Sequence, residues 1–128
     1  MYTVQRPEMD VSIGEYVSPD GQLKFLVTCP DGDWTIGFDG FPWHTHGSIL
    51  AELSGQDEVP AVERFLAELI GNVSVIALTR ISGELTSVWV TDDPEGALRD
   101  CRKYGQADET IEFRLWDGTP KRFDGSLC

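Results

Sequence analysis

Three short runs of alternating polarity, separated by tight-turn sequences, constrain the fold of this chain more than any other feature. The runs are VSIGEYV, QLKFLVTC and WTIGF, and the separators SPDG and PDGD lie between them within residues 11–38. Alternating runs of this length favour β-strands, and proline followed by glycine in the separators favours tight turns. The pattern predicts an antiparallel three-stranded meander near the start of the domain.

The first run contains one anomaly, at Glu15. Val11, Ile13 and Val17 share one face by the two-residue period of a strand, and Glu15 falls on that same face. A carboxylate that faced the core would need a partner, because burying an unpaired charge is costly. The alternative is a β-bulge at Gly14, which would reset the alternation and place Glu15 in solvent.

Two longer helices and one short helix are predicted after the meander. Pro60 suits the first position of a helix that stops at Gly71, and its apolar positions share one face: Val62, Phe65, Leu66, Leu69 and Ile70. Asp93 is expected to cap a second helix, which Gly105 ends. The buried stripe of this second helix is expected to contain Ala97, Leu98, Cys101 and Tyr104. The segment SILAEL predicts a short helix with Ser48 as its N-cap.

The remaining strands complete an α+β fold. VSVIALTRI, residues 73–81, is almost continuously apolar, which is typical of a strand covered on both faces, and SGE links it to LTSVWVT as a hairpin. TIEFRLW alternates, so Ile111, Phe113 and Leu115 are expected to point inward. We therefore expect a single domain, residues 1–128, with a largely antiparallel sheet and two main helices packed on one face.

The charge of the chain limits its partners. Asp and Glu together number 22 against 10 Lys and Arg, which gives a formal net charge of -12. Such a field repels nucleic-acid phosphates and anionic membranes and attracts basic partners. We expect no binding to nucleic acid or membrane. The acidity has two interpretations: it keeps an abundant protein soluble, or it forms a functional acidic face.

The cysteines and the termini favour a reduced, cytoplasmic protein. Cys29, Cys101 and Cys128 are odd in number and widely spaced, which suits neither a disulfide framework nor a zinc ribbon. The N-terminal MYTVQRPEMD does not resemble a signal peptide, and no apolar run is long enough to span a membrane.

Both histidines lie in one segment, FPWHTHG. Only one residue separates His44 from His46, so both side chains would point to the same side of an extended backbone and could share one metal ion. A stable site would need a third ligand from elsewhere in the chain. In the alternative interpretation, Trp43 is buried and the imidazoles hydrogen-bond to backbone groups at the turn into the Ser48 helix.

The string HTHGSILAELSGQD resembles the His-x-His-x7-Ser-x2-Asp motif of the JAMM/MPN metalloproteases. The resemblance implies that His44, His46 and Asp57 bind Zn2+ and that Ser54 hydrogen-bonds the oxyanion of a tetrahedral intermediate. That family also uses an upstream glutamate as general base, and Glu15 is the candidate for this role. The match covers 14 of the 128 residues, and glycine follows the second histidine where the family usually has proline.

The chain contains no phosphate-binding loop, dinucleotide fingerprint or nucleophile elbow. The stretch SPDGQLKFLV, followed by DGDWTIGFDGFPWHTHG, resembles small uncharacterised bacterial proteins of the immunity type. With the net charge, this favours a cytoplasmic binding protein without a cofactor that blocks a basic partner such as a toxin. The alternative is a zinc-dependent hydrolase built on the JAMM-like residues. In a third, simpler outcome the four tryptophans fill the core or line a small-molecule groove: Trp34, Trp43, Trp89 and Trp116.

Overall fold

The computed structural model describes residues 3–5 and 12–122, which form nine strands, three α-helices and one short 3-10 helix, Pro30–Gly32. The strands are β1 Thr3–Gln5, β2 Ser12–Val17, β3 Lys24–Thr28, β4 Thr35–Phe38, β5 His44–His46, β6 Val75–Ile81, β7 Glu84–Thr91, β8 Glu109–Arg114 and β9 Pro120–Lys121. The helices are α1 Gly47–Ser54, α2 Glu58–Ile70 and α3 Pro94–Tyr104. The α+β class is confirmed.

The strands form two antiparallel sheets rather than one. The first sheet has the order β1-β2-β3-β4-β5, and the second has the order β7-β6-β8-β9. The predicted meander is confirmed as β2, β3 and β4, with a tight turn in which Gly21 N donates to Ser18 O at 2.8 Å. The chain passes from the first sheet to the second through α1 and α2.

Glu15 lies in solvent, but no bulge at Gly14 is needed to place it there. The register between β2 and β3 is continuous, with Glu15 opposite Leu26 and Tyr16 opposite Phe25. Tyr16 stacks on Phe25 with ring centroids 4.8 Å apart, so the inward face of β2 carries the tyrosine. Val17, which the two-residue period placed inward, is 55% exposed, so that prediction was wrong. Val11, Cys128 and the side chain of Ile13 lie outside the described residues.

The start of α1 differs from the prediction. Ser48 lies inside the helix, and His46 occupies the N-cap position without a capping side-chain hydrogen bond. Gly47 is buried, and its amide donates to Trp34 O at 2.8 Å. A Cβ atom at Gly47 would lie 2.9 Å from Trp34 Cβ and 2.6 Å from Glu58 Cγ. Close packing against these two residues therefore requires glycine here.

The two main helices occur where the pattern predicted them. In α2 the N-cap is Asp57, three residues before Pro60, and Gly71 ends the helix. In α3 the predicted cap is confirmed, because Asp93 Oδ1 accepts a hydrogen bond from Gly96 N at 3.0 Å. The predicted stripe fails only at its last member: Tyr104 is 74% exposed because the helix ends there.

Two apolar clusters lie on opposite faces of the second sheet. The larger lies between the two sheets and includes side chains of α2, among them Phe25, Trp34, Val62, Leu69 and Ile76. The smaller contains Ala77, Leu98, Cys101, Ile111 and Phe113 and lies beneath α3. The helices therefore contact different faces of the second sheet, because β6 is apolar on both sides. No helix in the described ranges is long and apolar enough to cross a membrane.

Candidate binding surfaces

Strand β5 places both imidazoles on the outer face of the first sheet. His44 is exposed and His46 half-buried, while Thr45 between them is buried. The ring centroids are 4.9 Å apart, which agrees with the prediction that both side chains point the same way. His44 Nδ1 lies 3.0 Å from Pro42 O, and His46 Nδ1 lies 3.2 Å from Asp33 Oδ2. Each imidazole thus has a polar contact, His44 with a carbonyl two residues before it and His46 with a carboxylate from the turn before β4.

The other residues of the JAMM-like motif lie on different elements. Ser54 is the last residue of α1, and its hydroxyl accepts a hydrogen bond from Gln56 N at 3.3 Å. Asp57 is the exposed N-cap of α2. Glu15, on β2, lies with its Oε2 3.6 Å from Lys24 Nζ.

The described residues as placed do not fit the zinc site that the motif implies. Throughout residues 14–122, no three His, Cys, Asp or Glu side chains are grouped so that they could hold a metal ion. His44 and His46 are brought together, but Asp57 does not join them. The zinc ligands and the roles of Ser54 and Glu15 therefore stay predictions.

A long acidic stretch surrounds the histidine segment. Residues 25–63 contain no Lys or Arg and seven carboxylates: Asp31, Asp33, Asp39, Glu52, Asp57, Glu58 and Glu63. The stretch forms β3, β4, β5, α1 and the first turns of α2. Lys24, just before it, lies 4.0 Å from Asp39. Within the described ranges, Glu52 and Asp57 take part in no ion pair. This part of the surface is therefore strongly negative.

Helix α1 exposes two large apolar side chains in the middle of that stretch. Ile49 is 45% exposed and Leu53 79% exposed. They are four residues apart, so they are neighbours on one side of the helix, and Glu52 falls on the same side. Gln56 and Asp57 are exposed in the turn that follows the helix. We call Ile49, Glu52, Leu53, Gln56 and Asp57 the α1 surface. The sequence pattern predicts the short helix but not this surface, which depends on how α1 packs.

The tryptophans divide into two pairs. Trp34 and Trp116 are 2% and 4% exposed and belong to the larger cluster. Trp43 and Trp89 are half-buried and line a cleft of about 490 Å3 together with Pro42, Ser87 and Val88. A second groove, of about 530 Å3, lies between α3 and the second sheet and has a mixed lining that includes Arg99, Asp100 and Thr91. One pair thus fills the core and the other lines a cleft, and a small-molecule role for that cleft stays a prediction.

Asp20 is the described carboxyl whose pKa departs most from its ordinary value, and it belongs to an ion pair that joins the two sheets. The Arg114 guanidinium donates to both Asp20 oxygens, at 2.8 and 3.1 Å, and also to the carbonyls of Leu115 and Trp116. These hydrogen bonds, with one from the Ser18 hydroxyl, hold the pKa of Asp20 well below its usual range. The pair joins the β2–β3 turn of the first sheet to the end of β8 in the second.

No protein-family model, curated protein sequence or solved structure matches this chain.

Proposed function

We propose that this chain is a binding protein of the inhibitor or immunity type, which occupies the surface of a basic protein partner through its α1 surface. One observation carries the proposal: the exposed Ile49 and Leu53 lie within a stretch that contains seven carboxylates and no Lys or Arg. Exposed apolar side chains with a polar rim are typical of protein interaction sites.

The two components of the α1 surface have different physical roles. The carboxylates create a negative potential that raises the rate of encounter with a basic protein and disfavours acidic ones. Ile49 and Leu53 supply the apolar area whose burial slows dissociation. Because exposed charges are screened by salt, association should weaken as ionic strength rises, while the apolar contribution persists.

Such a protein would act by covering its partner. A basic surface that normally binds a phosphate-rich or otherwise anionic substrate is neutralised when an acidic domain occupies it. This activity needs no cofactor and no catalytic group. The zinc-dependent hydrolase has less support, because the described residues supply two adjacent imidazoles without a third ligand.

Affinity capture with matched variants tests the proposal. The immobilised wild-type chain is incubated with lysate of cells that express it, and retained proteins are identified by mass spectrometry. The variant Ile49→Ser/Leu53→Ser removes the apolar centre. The control variant Val17→Ser/Val73→Ser removes two other exposed apolar side chains, which are 55% and 66% exposed.

We expect a basic protein that is retained by the wild type and the control and lost with Ile49→Ser/Leu53→Ser. Binding of the purified partner should become less salt-dependent in Glu52→Gln/Asp57→Asn but not in Glu95→Gln/Asp100→Asn, which neutralises two exposed carboxylates on α3. Recovery of no basic protein, or equal retention by the wild type and both apolar variants, would contradict the proposal, and so would an equal salt dependence of the two charge variants.

A further inference from the structure

The longest open sheet edge lies far along the chain from α1, at β7. Within the described part of the chain, β7 has β6 on one side and no strand on the other. No backbone hydrogen bond beyond its ladder with β6 involves Glu84–Thr91 in that part. The strand has eight residues, whereas the other strands at sheet ends, β1, β5 and β9, have two or three.

The second half of this edge, residues 87–91, lacks the features that usually prevent pairing with another strand. Such features include lysine, proline and bulges along the edge. The pairing of β6 with β7 has one register shift, between Thr79 and Arg80 of β6, and it falls in the first half of β7. Residues 87–91, SVWVT, pair regularly with β6 and contain neither lysine nor proline. An extended segment could therefore continue the sheet along this half of the strand.

A side-chain cleft lies beside the same half of β7. Its lining consists of Ser87, Val88 and Trp89 from the strand and of Pro42 and Trp43 from the loop before β5, and its volume is about 490 Å3. This volume lies within the range of small-molecule pockets and is ample for one large apolar side chain. Trp43 packs against the inter-sheet cluster and Trp89 against the cluster beneath α3, so they lie on opposite faces of the sheet. A strand that paired with β7 would place alternate side chains on the side of one indole and then of the other, and both indoles are rigid and amphipathic.

The charge around the edge indicates what kind of segment would pair there. Residues 81–98 contain Glu84, Asp92, Asp93 and Glu95 and no Lys or Arg. The other wall of the cleft comes from the acidic stretch 25–63, which also has no Lys or Arg. Both walls thus belong to parts of the chain that carry only negative formal charge. Lys or Arg near the ends of an incoming strand would find carboxylates at both ends of β7.

We propose that the β7 edge receives an extended segment of a basic protein. The segment pairs with residues 87–91 as an additional strand, packs apolar side chains against Trp43 on one face and Trp89 on the other, and places Lys or Arg near Glu84 and Asp92. This surface shares the charge argument of the proposed function but none of its residues. A second copy of this chain fits less well, because antiparallel pairing of two β7 edges would bring Glu84 of each close to Asp92 of the other.

Selection of peptides against the folded chain tests this inference. Random dodecapeptides displayed on phage are selected on the immobilised wild type, and enriched sequences are synthesised. Their affinities are measured by fluorescence anisotropy for the wild type, Ser87→Arg, Trp43→Ala and Leu53→Ser. Ser87→Arg fills the cleft with a charged side chain, and Leu53→Ser alters only the α1 surface. Thermal denaturation verifies that each variant is folded. If Trp43→Ala does not fold, Ser87→Arg still tests the inference.

We expect enriched peptides with alternating apolar residues flanked by Lys or Arg. Ser87→Arg and Trp43→Ala should weaken their binding by about tenfold or more, the effect of losing a hot-spot contact, while Leu53→Ser leaves it unchanged. The peptide should slow amide hydrogen exchange within residues 87–91.

Three results would overturn the inference. These are no enrichment of any alternating sequence, equal binding to wild type and Ser87→Arg, or a wild-type dimer in sedimentation equilibrium that Ser87→Arg abolishes. Binding lost only in Leu53→Ser would also overturn it and would support the α1 surface instead. The two proposals can therefore fail separately.

Discussion

The two faces of the second sheet are covered to very different extents. On the face toward the first sheet, fourteen buried apolar residues form one cluster, with Phe25 against Tyr16, Phe38 and Trp116 at centroid distances of 4.8, 6.4 and 5.1 Å. On the face toward α3 the buried cluster has five members, and a groove of about 530 Å3 borders it. The difference indicates that the core between the sheets supplies most of the stability and that α3 is the less firmly held element.

The largest expected effect is at the centre of the inter-sheet cluster. Phe25 is fully buried and contacts three other aromatic rings. Phe25→Ala should lower the free energy of unfolding by about 4 kcal/mol, because it removes apolar contacts and leaves a cavity. Urea denaturation followed by tryptophan fluorescence measures the loss. A loss below about 2 kcal/mol would mean that this cluster does not dominate the fold.

The matched truncation on the opposite face is Leu98→Ala. Leu98 is 2% exposed and is the main apolar contribution of α3 to the smaller cluster. We expect a loss of about 2–3 kcal/mol, at the low end for buried leucines, because the adjacent groove lets neighbouring side chains relax. The same denaturation experiment measures it. A loss as large as that of Phe25→Ala would remove the contrast between the two faces.

The N-cap of α3 tests how firmly that helix is held. Asp93→Ala removes the acceptor for Gly96 N and should cost about 1 kcal/mol. Asp92→Ala is the control, since Asp92 is exposed and makes no capping bond. Hydrogen exchange should show faster exchange in α3 than in β6 for the Asp93 variant. Uniform acceleration across both elements would mean that α3 unfolds only together with the sheets.

The Arg114–Asp20 pair joins the two sheets on the face that carries the larger cluster. Its disruption should give the smallest loss of stability of these four changes. Asp20 is one-third exposed, so solvent screening limits the expected loss in Asp20→Asn to about 0.5–1 kcal/mol at neutral pH. The folded pKa is depressed, so this stabilisation exists above the ordinary aspartate value of 3.8 and is lost as pH falls below it. The difference between variant and wild type should therefore shrink below about pH 4. A difference that grew on acidification would have the wrong sign.

Local sequence patterns predicted most of the secondary structure. Tight turns, helix caps and the two-residue and helical periods depend on residues within a few positions of one another, which is why the meander, the α3 cap at Asp93 and the β6–β7 hairpin were all predicted. The predictions of burial were wrong where contacts with residues distant in sequence determine which side chain is buried. Val17 and Tyr104 are apolar or aromatic and fit the local period, yet both are exposed.

The candidate sites show the same limit more strongly. The spacing of His44, His46, Ser54 and Asp57 matches a known motif, but spacing does not determine where a helix end lies relative to a strand. In the structure Ser54 ends α1 and Asp57 begins α2, while both imidazoles lie on the outer face of the first sheet. Conversely, Ile49 and Leu53 look like ordinary core positions of a short helix, and only the packing of α1 shows that they are exposed.

The sequence by itself determined the α+β class, the order of the elements and the strongly negative charge. Periodicity and turn residues act over a few neighbouring positions, and the net charge is the sum of the formal charges of the side chains. The tertiary structure decided the division into two sheets, the placement of α2 and α3 on opposite faces of β6, and the direction of Glu15. Each of these depends on competition for the interior among residues distant in sequence. Tyr16 stacks on Phe25 and buries more apolar area than Val17, so β2 turns its tyrosine inward and its glutamate to solvent.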